Sequence, residues 1–482
     1  MAILNTILYT CAALIGYRIV KYMHAGIYNP LAHIPGPWHT RFSSVVGNYH
    51  RVRGTKVAWH HTLHARYGPV VRVQPDRVAA SDVESWEAIH RMGSGFRKTW
   101  IHEKVRIGPE LFLFSFTDVK KHAARRKLFA RAFTKEAIRR NWEDVVRQRV
   151  EACVEKIKKE AEGGVADVFK WWRLMTSDII AQMSFGESFG LVESSGQDEG
   201  QRAYFEALEN AGINITLREV VPFMLPLLAK VLPIRKLKDI VGAHKVVTDK
   251  GTIAQHARRG GEDQEDDGAE SDLSDNAIRS EAAGFLIAGS DTTSVALTYT
   301  IWAILKRPDL QRRLEDEVAG LPVGFGDKDV EQLPLLNNVL DEALRLYNPA
   351  SGPLIRATPP GGVTFHGNFI PGGTLVFCQM WTVLRNPDMF PDPEKFDERR
   401  FENATEKQRR VAQPFGIGSR SCIAAPLAMM ELRFGVAMFL RGCKGAMLGK
   451  DMTDDMMEQR NRFFNYPKGK RCDITLVREL GQ

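Results

Sequence analysis

Cys422 stands in the run Pro414-Phe-Gly-Ile-Gly-Ser-Arg-Ser-Cys-Ile-Ala-Ala-Pro-Leu427, following Gly416, Gly418 and Arg420 at two-residue steps. Glycines let a backbone take positive φ and turn its N–H groups inward. The apolar stretch from Leu427 to Leu440 reads as a helix, and a helix N-terminus with a guanidinium nearby lowers the pKa of a thiol beside it. Cys422 is therefore a candidate thiolate and metal ligand. Two plainer readings compete. One is an inert buried cysteine; the other is a dinucleotide loop, since Gly416-Ile-Gly418-Ser-Arg-Ser421 is half of Gly-x-Gly-x-x-Gly. The loop reading lacks its last glycine, and only Val411-Ala-Gln-Pro414 precedes it where a β-branched strand is required.

Three further groupings place acids or bases at usable spacing. Ala288-Gly-Ser-Asp-Thr-Thr293 lies in a stretch that Ser274 or Asp275 can cap and Pro308 ends; a helix there would span roughly 50 Å. Gly289 inside it costs about 1 kcal/mol relative to alanine, and a threonine bonding back to a carbonyl bends a helix. A close crossing of helices explains Ala288 and Gly289, but not Asp291 beside Thr292. Glu342 and Arg345 are i, i+3 neighbours on a helix marked by Leu336, Leu340, Ala343 and Tyr347; exposed, such a pair contributes only about 0.2–1 kcal/mol. His122 and Arg126, one turn apart, can address a single anion, or else belong to a solvated basic face with Lys120, Lys121, Arg125 and Lys127.

The elements that must position these groups are mostly helical. Glu136 to Ala161 reads as a long charged amphipathic helix, and Trp171, Trp172, Met175 and Ile179 as the buried stripe of another. Tyr67-Gly-Pro69 feeds a strand over Val70 to Val73, while Leu354 to Gly362 and Ile370-Pro-Gly-Gly373 punctuate β-hairpins. Gly93 to Phe116 reads as irregular, its Phe112, Phe114 and Phe116 being packing residues or ligand contacts. Gly260 to Gly268 is an acidic solvated loop.

Phe415, Gly418, Arg420 and Cys422 match the haem-loop pattern Phe-x-x-Gly-x-Arg-x-Cys-x-Gly, with Ala424 in place of the last glycine. On these residues, and on the motifs upstream in the same order, the chain resembles the cytochrome P450 family; His122 in the Trp position and the run Phe185-Gly-Glu-Ser-Phe189 resemble its filamentous-fungal members, many of which act in secondary metabolism. The resemblance implies a mainly α fold with small β-sheets and haem b held by Cys422 as axial ligand. It implies Arg420 on a haem propionate, Phe415 packed on the sulfur, and His122 with Arg126 standing for the family's Trp-x-x-x-Arg. Arg356 is a third propionate candidate. Asp291 and Thr292 resemble the acid–alcohol pair that relays protons in the oxygen-binding helix. Glu342, Arg345 and Arg400 resemble the buried triad behind the haem, although Glu398-Arg399 replaces its usual Pro-Glu. Pro30 with Pro35-Gly-Pro37 resembles the proline hinge, Gly93 to Phe116 a substrate-facing loop, Gly212 to Pro233 a membrane-proximal lid, and Phe463 to Cys472 the closing hairpin.

Composition fits this. The 482 residues are 44% hydrophobic and 26% charged, an ordinary globular balance that excludes a disordered chain. Six cysteines without a C-x-x-C pair argue against a disulfide framework or a zinc site. A net charge of +8 suits an anionic surface or an acidic partner. Residues Ala2 to Met23 are mostly apolar, with Arg18 and Lys21 at their end; this favours a retained anchor over a cleaved signal and keeps the succeeding domain cytosolic. Spanning takes about 20 apolar residues, so Arg18 would snorkel, and an interfacial helix is the alternative. The expected organisation is an anchor over 1–24, a hinge over 25–40 and a monooxygenase domain over 41–482, on the endoplasmic reticulum facing the cytosol. Expected partners are O2, a small apolar substrate, the membrane and a separate NADPH-cytochrome P450 reductase, the chain having no room for its own flavin domain, and no nucleic acid. A non-catalytic haem protein, or a desaturase, epoxidase or demethylase on the same machinery, is the alternative.

Overall fold

The β-branched run Val70–Gln74 forms a strand buried along its whole length, the first of a four-stranded sheet. It pairs antiparallel with Arg77–Ala80, which runs parallel to Leu375–Cys378, which in turn takes Arg356–Ala357 antiparallel. Parallel neighbours need a long crossover. Here the chain leaves this unit at Thr99 and returns at Gly352, so that Met1–Thr99 with Gly352–Val383 form one compact unit and Trp100–Ser351 with Leu384–Gln482 a second. The computed structural model describes residues 2–196 and 273–476, with a few residues between 206 and 242. The lid expected around Pro222 to Pro233 and the acidic loop Gly260 to Gly268 lie outside the described residues.

In the first unit, the proline segment is held by a buried cation. Arg72, 2% exposed, donates from Nη1 to the carbonyls of Leu31 (2.9 Å) and Ile34 (2.7 Å) and from Nη2 to that of Pro37 (3.3 Å). Burial, with Arg41 nearby, pushes its guanidinium down to about 10. Gly36 is required by this approach, since a Cβ there would lie 2.4 Å from the Arg72 carbonyl oxygen. Val363–Phe365 and Asn368–Ile370 form the hairpin the sequence suggests, turned through His366 (φ 47°) and Gly367 (φ 74°).

The N-terminal helix forms as Ala2–Ile27, but the expected membrane span is corrected. Asn5, Arg18 and Lys21 interrupt its apolar run, and among the described residues no helix is long and apolar enough to cross a membrane.

The second unit is built on the helix Asp275–Leu305. Ser274 caps it by accepting from the Ala277 N–H, and Pro308 opens the next helix, Pro308–Ala319. At about 1.5 Å per residue it is about 46 Å long. It is buried on nearly every side, as a helix without a polar face must be. Several of its hydroxyls bond within the helix: Ser294, Thr298 and Thr300 each donate to the carbonyl one turn back. Val168–Phe185 packs along it, and Ala425–Gly442 packs on both it and Lys135–Glu162. Trp172, Tyr299, Phe434 and Phe439 fill the core between them. The stretch expected to be irregular contains one short helix, Trp100–Glu103. Near the C-terminus, Gln459–Asn461 and Asn465–Pro467 form a hairpin with Arg462 to Phe464 at its tip.

Candidate active site

Gly416 (φ 74°) and Gly418 (φ 73°) turn the loop before the Ala425–Gly442 helix so that the Cys422 N–H donates to the Phe415 carbonyl at 2.8 Å. Pro426 sits in the first turn of that helix, where no N–H partner is needed. Ala424 has φ −92°, a conformation open to any residue, which is why alanine serves where glycine was expected. Two guanidinium groups meet the loop. Arg126 donates from Nη1 to the Ser421 carbonyl (2.8 Å), and Arg420 from Nη1 to the Phe116 carbonyl (2.8 Å). His122, one turn before Arg126, is buried. Burial, and then the charge of Arg126, push Arg420 down to about 10.

The thiolate-favouring environment read from the sequence is only partly present. Burial pushes the Cys422 thiol up and outweighs the Ala424 N–H and the Arg126 charge, which pull it down. Cys422 is nevertheless the exposed one among the described cysteines; Cys153, Cys378, Cys443 and Cys472 are buried.

On the long helix, Ala288 is exposed and Gly289 and Thr292 are half-buried, in a stretch whose neighbours are closed off. Thr292 Oγ1 donates to the Ala288 carbonyl at 2.8 Å, the back-bond its position suggested. Asp291 is 1% exposed and faces elsewhere. Its Oδ1 accepts from Arg173 Nε at 3.2 Å and its Oδ2 from the Tyr466 hydroxyl at 2.7 Å. Successive helical residues diverge by about 100°, so adjacency in sequence does not bring this carboxyl to the Thr292 hydroxyl. Thr293 instead meets Glu431 of the Ala425–Gly442 helix, whose carboxyl burial pushes up to about 8 against the opposing Thr293 hydroxyl.

Glu342 is fully buried and accepts from four donors: Arg345 Nε (2.7 Å), Arg345 Nη2 (2.8 Å), Arg400 Nε (3.1 Å) and the Asp397 N–H (3.0 Å). The i, i+3 pair is thus a closed core cluster and not a surface ion pair. Arg356 belongs to the other unit, where it is buried beside His90 and donates to the Ile355 carbonyl at 2.9 Å.

Sequence reasoning missed Arg173, Tyr466 and Glu431. Arg173 and Tyr466 lie 118 and 175 residues from Asp291, and a contact at such range leaves no mark in spacing.

Among the described residues, no group of three or more His, Cys, Asp or Glu could hold a bare metal ion. The donor set is one accessible sulfur flanked by cations. That suits iron already held in a macrocycle, which asks one axial thiolate of the protein and cations for its carboxylates, so the residues fit a haem.

Residues 35–472 match the family model described as Cytochrome P450. The chain is 36% identical over 479 residues to Cytochrome P450 monooxygenase stcB of Emericella nidulans, covering 96% of this chain and 92% of that protein. It is 37% identical over 465 residues to Cytochrome P450 monooxygenase tazI of Aspergillus terreus, with 92% and 94% covered. It is also 31% identical over 421 residues to a methylphloroacetophenone oxidase of Cladonia uncialis, with 81% and 92% covered.

Proposed function

Because the chain belongs to the cytochrome P450 family of haem-thiolate monooxygenases, we propose that Cys422 is its axial ligand, that Arg126 and Arg420, with His122, serve the propionates, and that Asp291 and Thr292 manage proton delivery. The observation that carries this reading is the one exposed thiol among the described cysteines, on a glycine-turned loop that carries Arg420 and is met by Arg126. Bound haem supplies the iron at which O2 is activated for insertion into a small organic substrate, with electrons from a redox partner. The chain's own part is to ligate, orient and pass protons. Thr292, half-buried one turn after exposed Ala288, is the hydroxyl able to hold a water at the reaction face.

The substrate in this reading is an apolar metabolite of a fungal secondary pathway. A run of rings supports its apolar character: Phe112 lies 6.1 Å from Phe114, Phe114 lies 6.2 Å from Phe463, and Phe463 lies 4.8 Å from Phe464. The fungal relatives support its origin. Electrons come from a separate NADPH-dependent reductase. The N-terminal helix holds the enzyme on the cytosolic face of the endoplasmic reticulum by lying in the interface, for which exposed Tyr9, Tyr17, Tyr22 and Ile27 are suited.

The deciding experiment is the spectrum of the reduced, carbon monoxide-bound protein. The parent should show the red-shifted Soret band of thiolate ligation, and Cys422→Ala or Cys422→His should lose it. An unchanged band in Cys422→Ala would sink the ligand assignment.

A further inference from the structure

The Asp291 carboxylate is enclosed by two donors of different kinds. Arg173 comes from the Val168–Phe185 helix and carries charge; Tyr466 comes from the C-terminal hairpin and is neutral. At 2.7 Å the phenol contact is a well-formed O–H···O hydrogen bond. The cluster is closed by Phe169, over whose ring the Arg173 guanidinium lies at 5.5 Å and whose edge meets the Tyr466 ring at 6.5 Å. For its carboxyl to reach the surroundings of Thr292, Asp291 must turn about its side-chain bonds and break the contact with Tyr466.

Tyr466 is tied to the open end of the site by its own strand. Two residues before it is Phe464, in ring contact with Phe463, which meets Phe114. Asn465 between them anchors the hairpin just behind its tip, donating its N–H to the Pro349 carbonyl (2.8 Å) and Nδ2 to the Asn348 carbonyl (2.6 Å) and Ser351 Oγ (2.7 Å). A molecule pressing on the tip therefore acts on a short lever whose fulcrum is Asn465 and whose far side is the Tyr466 hydroxyl.

We propose that Tyr466 is a positioning residue that latches Asp291 away from Thr292 until a ligand seats against Phe463 and Phe464, so that proton delivery is coupled to occupancy of the site. This rests on the proton-delivery role of Asp291 and Thr292. Arg173 keeps the carboxylate paired in either position of the latch, and only the neutral donor is exchanged.

Tyr466→Phe removes one hydroxyl and retains the ring packing with Phe169, so the full-length holoprotein is the material for the test. With NADPH-cytochrome P450 reductase and no substrate, NADPH oxidation and hydrogen peroxide release should rise at least twofold in Tyr466→Phe. In an Asp291→Asn background the same substitution should change nothing, because its effect passes through that carboxyl. Independently of turnover, amide hydrogen exchange is followed on adding 4-phenylimidazole. In the parent, the hairpin peptide spanning 459–467 and the helix peptide around 288–293 should both gain protection. In Tyr466→Phe the hairpin should respond and the helix should not. Equal substrate-free oxidation in parent and Tyr466→Phe, or an equal rise in the Asp291→Asn background, overturns the latch. If Asp291→Asn alone leaves turnover unaltered, the proton-delivery reading fails and the latch with it; if Asp291→Asn acts but Tyr466→Phe is silent, the latch alone fails.

Discussion

Gly289 of the long helix meets Ile180 of the neighbouring helix so closely that a Cβ at 289 would lie 2.8 Å from Ile180 Cγ1 and 3.1 Å from its Cβ. The glycine is thus a packing requirement of the crossing, whatever else the segment does. Gly289→Ala should gain about 1 kcal/mol of helix propensity yet lose about 1–3 kcal/mol to overpacking. Ile180→Ala in the same chain should relieve the clash, so the two substitutions should be strongly non-additive in denaturant midpoints. Simple additivity would show that the crossing relaxes freely.

Thr292→Ala should leave the carbon monoxide spectrum intact, because Thr292 donates only to the Ala288 carbonyl of its own helix. With reductase and substrate, NADPH should still be consumed, more of it ending as hydrogen peroxide and less as product. Asp291→Asn should slow the whole cycle instead. Product per NADPH equal to the parent in Thr292→Ala would remove the hydroxyl from the relay.

Glu342→Ala should leave Arg345, itself 3% exposed, without its carboxylate. Removing one member of a buried ion cluster costs about 3–5 kcal/mol, so the variant should express with little bound haem and a lowered thermal midpoint. Arg345→Lys should not substitute, because it cannot make the paired contacts from Nε and Nη2 to Glu342. A stable Glu342→Ala protein with full haem content would refute a core role.

Glu431 gives a pH prediction with a definite sign. Its folded carboxyl is raised from 4.5 to about 8 by burial, so between those values the folded state holds a proton that the unfolded state has released. The stability it contributes is complete below the unfolded value and declines as pH rises to about 8, with a slope near 1.4 kcal/mol per pH unit as an upper bound. Glu431→Gln cannot titrate. The difference in thermal midpoint between parent and variant should therefore change across pH 5 to 8 and flatten above it; a constant difference would mean that Glu431 is ionised in the fold.

Much of the scaffold was legible because local chemistry determines it. Ser274 caps the start of the long helix and Pro308 marks the boundary after it, by satisfying or lacking N–H groups, and the loop glycines and Cys422 could be read by spacing alone. What was not legible is where side chains point once helices cross. Asp291 and Thr292 read as a joined pair because they are adjacent, yet the helix turns one toward Arg173 and Tyr466 and leaves the other open. The Cys422 thiol is a related case: the desolvation that raises it belongs to the packed molecule and leaves no mark in the sequence, whereas the cation and N–H groups that lower it are the part spacing can suggest. For the N-terminal helix the charges at Arg18 and Lys21 left a span and an interfacial helix both open, and among the described residues no helix is long and apolar enough to span.

Arg72 has a practical consequence for anyone shortening or tagging the chain. Its guanidinium takes acceptors from Leu31, Ile34 and Pro37, and its own backbone N–H donates to Pro35. A protein trimmed at Pro37 in search of solubility would strand a buried cation and should precipitate more readily than one beginning at Asn29, which keeps the acceptors and the Asn29 side-chain contact to the Pro75 carbonyl as well. A foreign leader joined before Asn29 would leave the domain in a direction set by the sheet rather than by the leader. The stretch whose prolines suggest a swivel is, in mechanical terms, a bracket.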